Sequence, residues 1–120
     1  MKKYLITYVT PSGTYNGENI PHPTAEERQA GMQAWMDWAR KCGDHLIEMG
    51  HPLKAALSIN RKGETPTLSP ITGYSIMQAE SIEQVQALLQ DHPHINRMAS
   101  WSINIHEMLD LPRPLYLSKP

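Results

Sequence analysis

Three stretches of the chain alternate between hydrophobic and polar positions, which predicts three β-strands. Residues 3–9, 73–79 and 101–106 each change side at every step, the period of two that is typical of a strand. Residues 54–70 can add a hairpin with its turn at residues 61–64, because Gly and charged residues interrupt the pattern there. The prolines of its second half keep that half out of the centre of a sheet.

Two further stretches have the spacing of amphipathic helices. The first begins at Thr24, which forms a predicted capping box with Glu27. Apolar residues then recur at helical spacing on one stripe: Met32, Trp35, Ala39 and Cys42. The second helix begins with a similar box at Ser81 and Gln84 and ends at residues 91–93. Between the helices, Leu46 and Ile47 form an apolar pair too short to classify.

The order of these elements predicts an α+β fold of the ferredoxin-like βαββαβ type. Two helices and about four strands are best accommodated by an antiparallel sheet with both helices on one face. Residues 1–109 form this single domain, and residues 110–120 are a Pro-rich C-terminal arm. Residues 11–23 are rich in Pro, Gly and Asn, which interrupt helices and strands. They therefore predict a loop that is long for a compact domain.

A two-layer domain leaves one face of its sheet bare. On the last strand the apolar side chains must pack under the helices, so Ser102, Asn104 and His106 lie on the bare face. We expect five residues of the other strands to join them: Leu5, Thr7, Val9, Ser75 and Met77. This mixed surface predicts a homodimer in which the two bare faces stack.

Composition and charge exclude several classes of function. The chain has 120 residues, 40% hydrophobic and 19% charged, with a net charge of −1, which is typical of one globular domain. Scattered basic residues argue against nucleic-acid binding, and no apolar run is long enough to cross a membrane. The first residues lack the apolar core of a secretory signal. The single cysteine, Cys42, excludes an internal disulfide and predicts a reducing, cytoplasmic location.

Most of residues 3–109 resemble the YCII-related domain family, the group that also includes DGPF-type proteins. The resemblance rests on MKKYLITYV, TAEERQAGMQAWMDWARKCGD, LIEMGHPL, GYSIMQAESIEQVQALLQDHPHI and SINIHEM. Its most specific parts are residues 73–81, the junction of a strand and a helix, and residues 91–95. Membership implies a ferredoxin-like fold that pairs as a dimeric α/β barrel.

The resemblance implies less about chemistry. Some relatives are regarded as enzymes that use a His–Asp pair near the first helix on small aromatic or chlorinated rings. Residues 24–42 contain no histidine, so that pair does not transfer to this chain. The DGPF tetrad is also absent, since residues 68–73 read LSPITG.

His92 and His94 are the residues most suited to proton transfer. They flank Pro93 at the predicted end of the second helix, where the helix dipole favours a cationic imidazole. Asp91 is adjacent and can complete an acid–base group. The alternative is that one histidine caps helix carbonyls and the other packs in a turn. A third metal ligand at matching spacing is missing, so we expect no metal. No GxGxxG or P-loop motif is present, and we expect no other cofactor.

Arg28, Tyr8 and Asp44 are the candidate ligand contacts. On a helical wheel Arg28 lies above Met32 and Trp35 on the inward side, where it can bind a carboxylate or extend its head to solvent. Asp44 lies at the exit of the first helix, near His45 and His51, where turn hydrogen bonds are the alternative role.

Two functions therefore remain open. The first is a homodimeric protein that binds or transforms a small acidic or aromatic metabolite in a pocket. The alternative is a non-catalytic accessory or regulatory subunit whose main property is dimerisation. The residues leave open whether the protein is an enzyme, because no catalytic motif such as GxSxG or HExxH is present.

Overall fold

The computed structural model describes residues 1–11, 23–67 and 69–111. Most of the predicted loop over residues 11–23 and of the arm over residues 110–120 lies outside these ranges. Within them the elements are, in chain order, β1 (Lys2–Val9), α1 (Ala25–Cys42), β2 (Leu46–Glu48), β3 (Leu57–Asn60), β4 (Gly63–Pro66), β5 (Ile71–Ala79), α2 (Ile82–Leu89), α3 (Pro93–Arg97) and β6 (Ser102–Glu107).

Four strands form the main sheet in the order β2-β5-β1-β6, and every neighbouring pair is antiparallel. The central strand β1 pairs Ile6 with Ser75 of β5 and with Ile105 of β6. Within this sheet, β1 is the first strand in the chain and β5 is the third, and these two lie in the middle. This order confirms the predicted ferredoxin-like α+β fold.

The helices cover one face of the sheet and close the core. The buried apolar side chains are Tyr4, Ile6, Tyr8, Trp38, Cys42, Met77, Ala79, Val85 and Leu89. Trp38 links the two longer helices, since its indole Nε1 donates to the carbonyl of Leu88 at 2.9 Å. None of the described helices is long and apolar enough to span a membrane.

Local capping explains where the helices begin. Thr24 Oγ1 accepts from the Glu27 backbone N–H at 3.1 Å, and Glu27 Oε1 accepts from the Thr24 backbone N–H at 2.8 Å, which confirms the first capping box. In the second, Ser81 Oγ accepts from the Gln84 backbone as predicted. The side chain of Gln84 accepts from the backbone N–H of Glu80 instead of Ser81.

The predicted face of β5 was wrong. Ser75 and Met77 lie on the helix side, because Met77 pairs with Tyr4 and shares its side of the sheet. Tyr74 and Ile76 therefore occupy the other face. Both alternating sets contain an apolar residue, so the pattern alone did not distinguish them.

The second sheet strand is β2, built on the apolar pair that the pattern left unclassified. The predicted hairpin forms, but β3 and β4 pair only with each other in a separate two-stranded sheet. Side chains attach β2 and the turn before it to β5. His45 Nδ1 lies 3.0 Å from the Gln78 carbonyl, and Gln78 Nε2 donates to the Asp44 carbonyl at 2.8 Å.

Candidate functional site

A pocket of about 390 Å³ lies where α1 faces the end of β1 and the beginning of β5. We call it the main pocket. Met32, Trp35 and Met36 border it from α1, and residues 49–52, which follow β2, border it as well. The spacing of three and four residues places these α1 side chains on adjacent turns of one helix face.

Tyr8 forms the inner wall of the main pocket. Its ring is in T-shaped contact with that of Trp35, with the two centroids 5.0 Å apart and the planes at 81°. Its hydroxyl lies 2.7 Å from Ser75 Oγ, which donates to the Met49 carbonyl at 2.6 Å, so the Tyr8 hydroxyl is the donor to Ser75. Burial raises the pKa of Tyr8 to about 12. The phenol is therefore a neutral wall and a poor acid near neutral pH.

The segment over residues 49–52 approaches β5 closely. Gly50 has φ of +83°, and a Cβ at this position would lie 1.8 Å from the Tyr74 carbonyl oxygen. Pro52 forms a bridge to Gly73, and the backbone N–H of Leu53 donates to the Thr72 carbonyl at 2.9 Å. Only a glycine at residue 50 allows this rim of the pocket to form.

Two threonines provide hydroxyl groups at the pocket. Thr10 Oγ1 lies 3.0 Å from Thr72 Oγ1, and Thr72 Oγ1 donates to the Tyr8 carbonyl at 3.3 Å. Both residues border the main pocket. With the Thr72 proton engaged, the Thr10 hydroxyl donates to Thr72 and keeps lone pairs that can accept from a ligand.

His92 lies behind the pocket wall and not in the pocket. Its ring stacks on Tyr8 with the centroids 5.0 Å apart and is in T-shaped contact with Trp35 and Trp38, with centroids 4.4 Å apart in each case. Nδ1 accepts from the backbone N–H of His94 at 2.9 Å, so His92 caps the N-terminus of α3. Burial lowers the pKa of His92 to about 3, with a smaller effect of His94. The predicted cationic imidazole at a helix C-terminus was therefore wrong.

His94 does border the main pocket. Its Nε2 lies 3.1 Å from the Val9 carbonyl, and its ring stacks on Trp101 at 5.1 Å. Burial lowers the pKa of His94, although the nearby Val9 and Ser102 carbonyls oppose this change. The neutral ring donates from Nε2 to Val9, an assignment that follows from the hydrogen bond.

The other predicted site residues lie elsewhere. Asp91 is exposed, and its carbonyl accepts from Asn96 Nδ2 at 3.2 Å. Asp44 is exposed beside β2. Arg28 is exposed and lies outside the main pocket, although it shares the α1 side of Met32 and Trp35; its Nη1 donates to the Pro23 carbonyl at 3.0 Å near the start of α1. Of the six predicted residues, Tyr8 and His94 border the main pocket.

Pattern reasoning missed several residues of the pocket. Met36 falls outside the apolar stripe of α1, and the two threonines carry no motif. In the sequence, Gly50 and Pro52 indicated a turn and nothing about a pocket. Exposed His51, considered with the helix-exit cluster, also borders the pocket, with its ring centroid 6.3 Å from that of Tyr74. Across the described residues, no three His, Cys, Asp or Glu side chains are grouped so as to hold a metal ion.

These features define a class: a ferredoxin-like α+β protein with a largely apolar, aromatic pocket at one end of its sheet. A search of solved structures found a protein of similar fold, 5-chloro-2-hydroxyhydroquinone dehydrochlorinase (TftG) from Burkholderia phenoliruptrix AC1100 in complex with 2,5-dihydroxybenzoquinone. The match covers 89% of this chain and 93% of that chain, with a TM-score of 0.50 and 15% identity. At this identity the likeness shows the fold alone. No protein-family model and no curated protein matches the sequence.

Proposed function

We propose that the chain is a YCII-related protein that binds or transforms a small aromatic or acidic compound in the main pocket. The main pocket is the observation that carries this proposal. Its volume of about 390 Å³ lies in the range of small-molecule sites, roughly 300–1,000 Å³. Aromatic and Met side chains form much of its wall, with the Thr10 hydroxyl and the two histidines as polar groups.

The fold likeness supports the same class of ligand. The dehydrochlorinase of similar fold was solved with 2,5-dihydroxybenzoquinone, a flat ring with oxygen substituents. Tyr8 and Trp35, in T-shaped contact with each other, both border the pocket, and aromatic side chains can pack on such a ring. Our proposal transfers the ligand class and not the reaction, since chemistry has to be argued from a site and not from a fold.

The histidines differ in their access to a ligand. His92 is fully buried, so we assign it a positioning role behind Tyr8. His94 borders the pocket, and its hydrogen bond to the Val9 carbonyl fixes the orientation of its ring. It is therefore a candidate contact with a ligand. His51 is exposed and also borders the main pocket, so it is a second candidate contact. Asp91 is not part of this proposal, because it lies outside the pocket.

A homodimer is the second part of the proposal. The sheet face opposite the helices carries half-buried Leu5, Val9 and Ile76 together with Thr7 and Tyr74. Exposed His106 lies beside them, with its Nε2 3.3 Å from Thr7 Oγ1. A second copy stacked on this face would remove its apolar side chains from water.

A thermal-shift experiment with catechol, hydroquinone, benzoate and 3-phenylpropionate tests the pocket. We expect at least one of these probes to raise the Tm. At a hundredfold excess over Kd, a bound ligand adds about 2.7 kcal/mol to the free energy of unfolding. The variant Met36→Trp narrows the pocket and should lose the effect. Met108 is equally exposed, 44% against 46% for Met36, but does not border the pocket, so Met108→Trp is the matched control and should keep it.

Either of two results would contradict the proposal. If no aromatic probe stabilises the protein, the non-catalytic accessory dimer becomes the better interpretation. If Met36→Trp and Met108→Trp respond equally to a stabilising probe, the probe binds somewhere other than the main pocket.

A further inference from the structure

A second cavity adjoins the main pocket along α1. This cavity, which we call the arginine groove, has a volume of about 410 Å³ and lies between the first turns of α1 and α3. Four residues border both cavities: Met32, Trp35, His94 and Trp101. Because these residues form a shared boundary, a ligand longer than one ring can extend from one cavity into the other.

The two cavities differ in charge. Among the described residues, none that borders the main pocket is Asp, Glu, Lys or Arg. The groove is bordered by Arg28, Arg97 and Glu27. Glu27 already accepts from the Thr24 backbone N–H in the capping box, so its carboxylate faces the helix start. The charges of the groove therefore sum to one excess positive charge at neutral pH.

Both guanidinium groups have donors available. Arg28 uses one Nη1 donor on the Pro23 carbonyl and is otherwise exposed. Arg97 is exposed at the end of α3, and no hydrogen bond of its guanidinium to another described residue is found, although, after the hydrogen bonds of Thr24, its charge contributes to lowering the pKa of the Glu27 carboxyl. A guanidinium presents five N–H donors in a planar fork, which suits a carboxylate.

We propose that the natural ligand is an aryl acid, with its ring in the main pocket and its carboxylate in the arginine groove between Arg28 and Arg97. This inference rests on the proposed function and makes it narrower, because the ring and the acidic group belong to one molecule and are separated by a spacer. Arg97 is a specificity residue that sequence reasoning did not single out.

Helix geometry sets the length of the spacer. Arg28, Met32 and Met36 follow one another at intervals of four residues on α1, and the whole span is about 12 Å at a rise of 1.5 Å per residue. Benzoate, with its carboxylate directly on the ring, is too short to occupy both cavities. A spacer of several carbon atoms, as in 5-phenylpentanoate, allows the ring to reach Trp35 while the carboxylate reaches the arginines.

Calorimetric titration with matched acids and amides tests this arrangement. We expect 5-phenylpentanoate to bind about three- to fivefold more tightly than its amide, a modest ratio because exposed ion pairs contribute little. Benzoate and benzamide should bind alike. Arg97→Gln and Arg28→Gln should each reduce the ratio, and about 0.5 M salt should reduce it further by screening. The matched control is Arg61→Gln, in the turn of the β3–β4 hairpin, which borders neither cavity and should keep the ratio.

The possible outcomes separate this inference from the proposed function. If acid and amide bind equally in the wild-type protein, or if Arg97→Gln and Arg28→Gln keep the full ratio, the aryl-acid inference is wrong while ring binding stands. If neither 5-phenylpentanoate nor its amide binds while a shorter ring probe such as catechol or benzoate does, the aryl-acid inference alone is wrong. If no ring compound binds, both proposals fail. A ratio that falls in the groove variants, with the affinity for the amide unchanged, supports the inference.

Discussion

His92 shows how strongly one residue depends on its surroundings. The ring is fully buried against Tyr8, Trp35 and Trp38, and Nδ1 accepts the backbone N–H of His94. Nδ1 is thereby an acceptor, so the neutral ring carries its proton on Nε2. A second proton would place a charge in an apolar setting, which is why burial lowers the pKa to about 3.

Acid should destabilise the protein through His92. Its pKa is about 6.5 when unfolded and about 3 when folded, so the unfolded state binds more protons between these values. The contribution of His92 to the free energy of unfolding should therefore have its full value above pH 6.5. It should fall by up to about 1.4 kcal/mol per pH unit as the pH drops towards 3. Urea titrations at several pH values measure this slope.

Two variants control this pH measurement. His92→Asn keeps a side-chain acceptor at the N-cap of α3 but removes the imidazole, so the protein should be less stable at neutral pH and less sensitive to acid. His51→Gln removes an exposed imidazole and controls for the loss of a histidine as such. If the free energy of unfolding falls equally steeply with decreasing pH in His92→Asn and in the wild type, His92 is not the cause of the pH dependence.

At the scale of an element, residues 49–52 join the β2 edge to the pocket. The Met49 carbonyl accepts from Ser75 Oγ, and Pro52 bridges to Gly73. Gly50 provides the close approach between them, since its backbone has positive φ and its Cα lies against the Tyr74 carbonyl. This short segment is therefore both the continuation of a sheet edge and a wall of the main pocket.

Gly50→Ala should lower both stability and ligand binding. A methyl group would overlap the Tyr74 carbonyl oxygen at 1.8 Å, and the positive φ adds strain of about 1–2 kcal/mol, so we expect a loss of at least 2 kcal/mol. Gly31→Ala is the matched control, because Gly31 lies within α1 with nothing within 4 Å of the added carbon. There alanine should stabilise by about 0.5–1 kcal/mol. Equal effects in urea denaturation would refute this account.

At the scale of the whole molecule, one face of the sheet is covered by helices and the other has no layer over it among the described elements. Thr7 lies on this second face and is nevertheless only 6% exposed, because neighbouring strands and side chains shield it. Leu5 and Ile76 beside it are half-buried. Such a surface is more apolar than a freely solvated sheet face requires, which is the basis for the proposed homodimer.

Ile76→Lys should separate the two subunits of that dimer. Burying an unpaired ammonium group between two sheets is costly, so the variant should sediment as a monomer where the wild-type protein sediments as a dimer. Ile82→Lys places the same charge on an exposed position of α2, 47% accessible, and should leave the dimer intact. A wild-type protein that sediments as a monomer at micromolar concentration would remove the dimer from the proposal.

Local sequence by itself determined the parts of this protein that depend on local interactions. The Thr24–Glu27 box marks the start of α1 because both bonds form within one turn. Alternation identified the strands β1 and β6, and in β6 it also showed which side faces the core, because only Ile103 and Ile105 are apolar there. From these elements the ferredoxin-like fold followed.

Tertiary structure decided what depends on distant partners. The three residues of β2 become a strand only by pairing with β5, and the side of β5 that is buried follows from its register with β1. His92 becomes neutral because Tyr8 and two tryptophans enclose it, and these are separated from it by many residues in the chain. The main pocket joins parts of β1, α1, β5 and α3. Its position is therefore a property of packing, since no local pattern encodes contacts between residues so far apart.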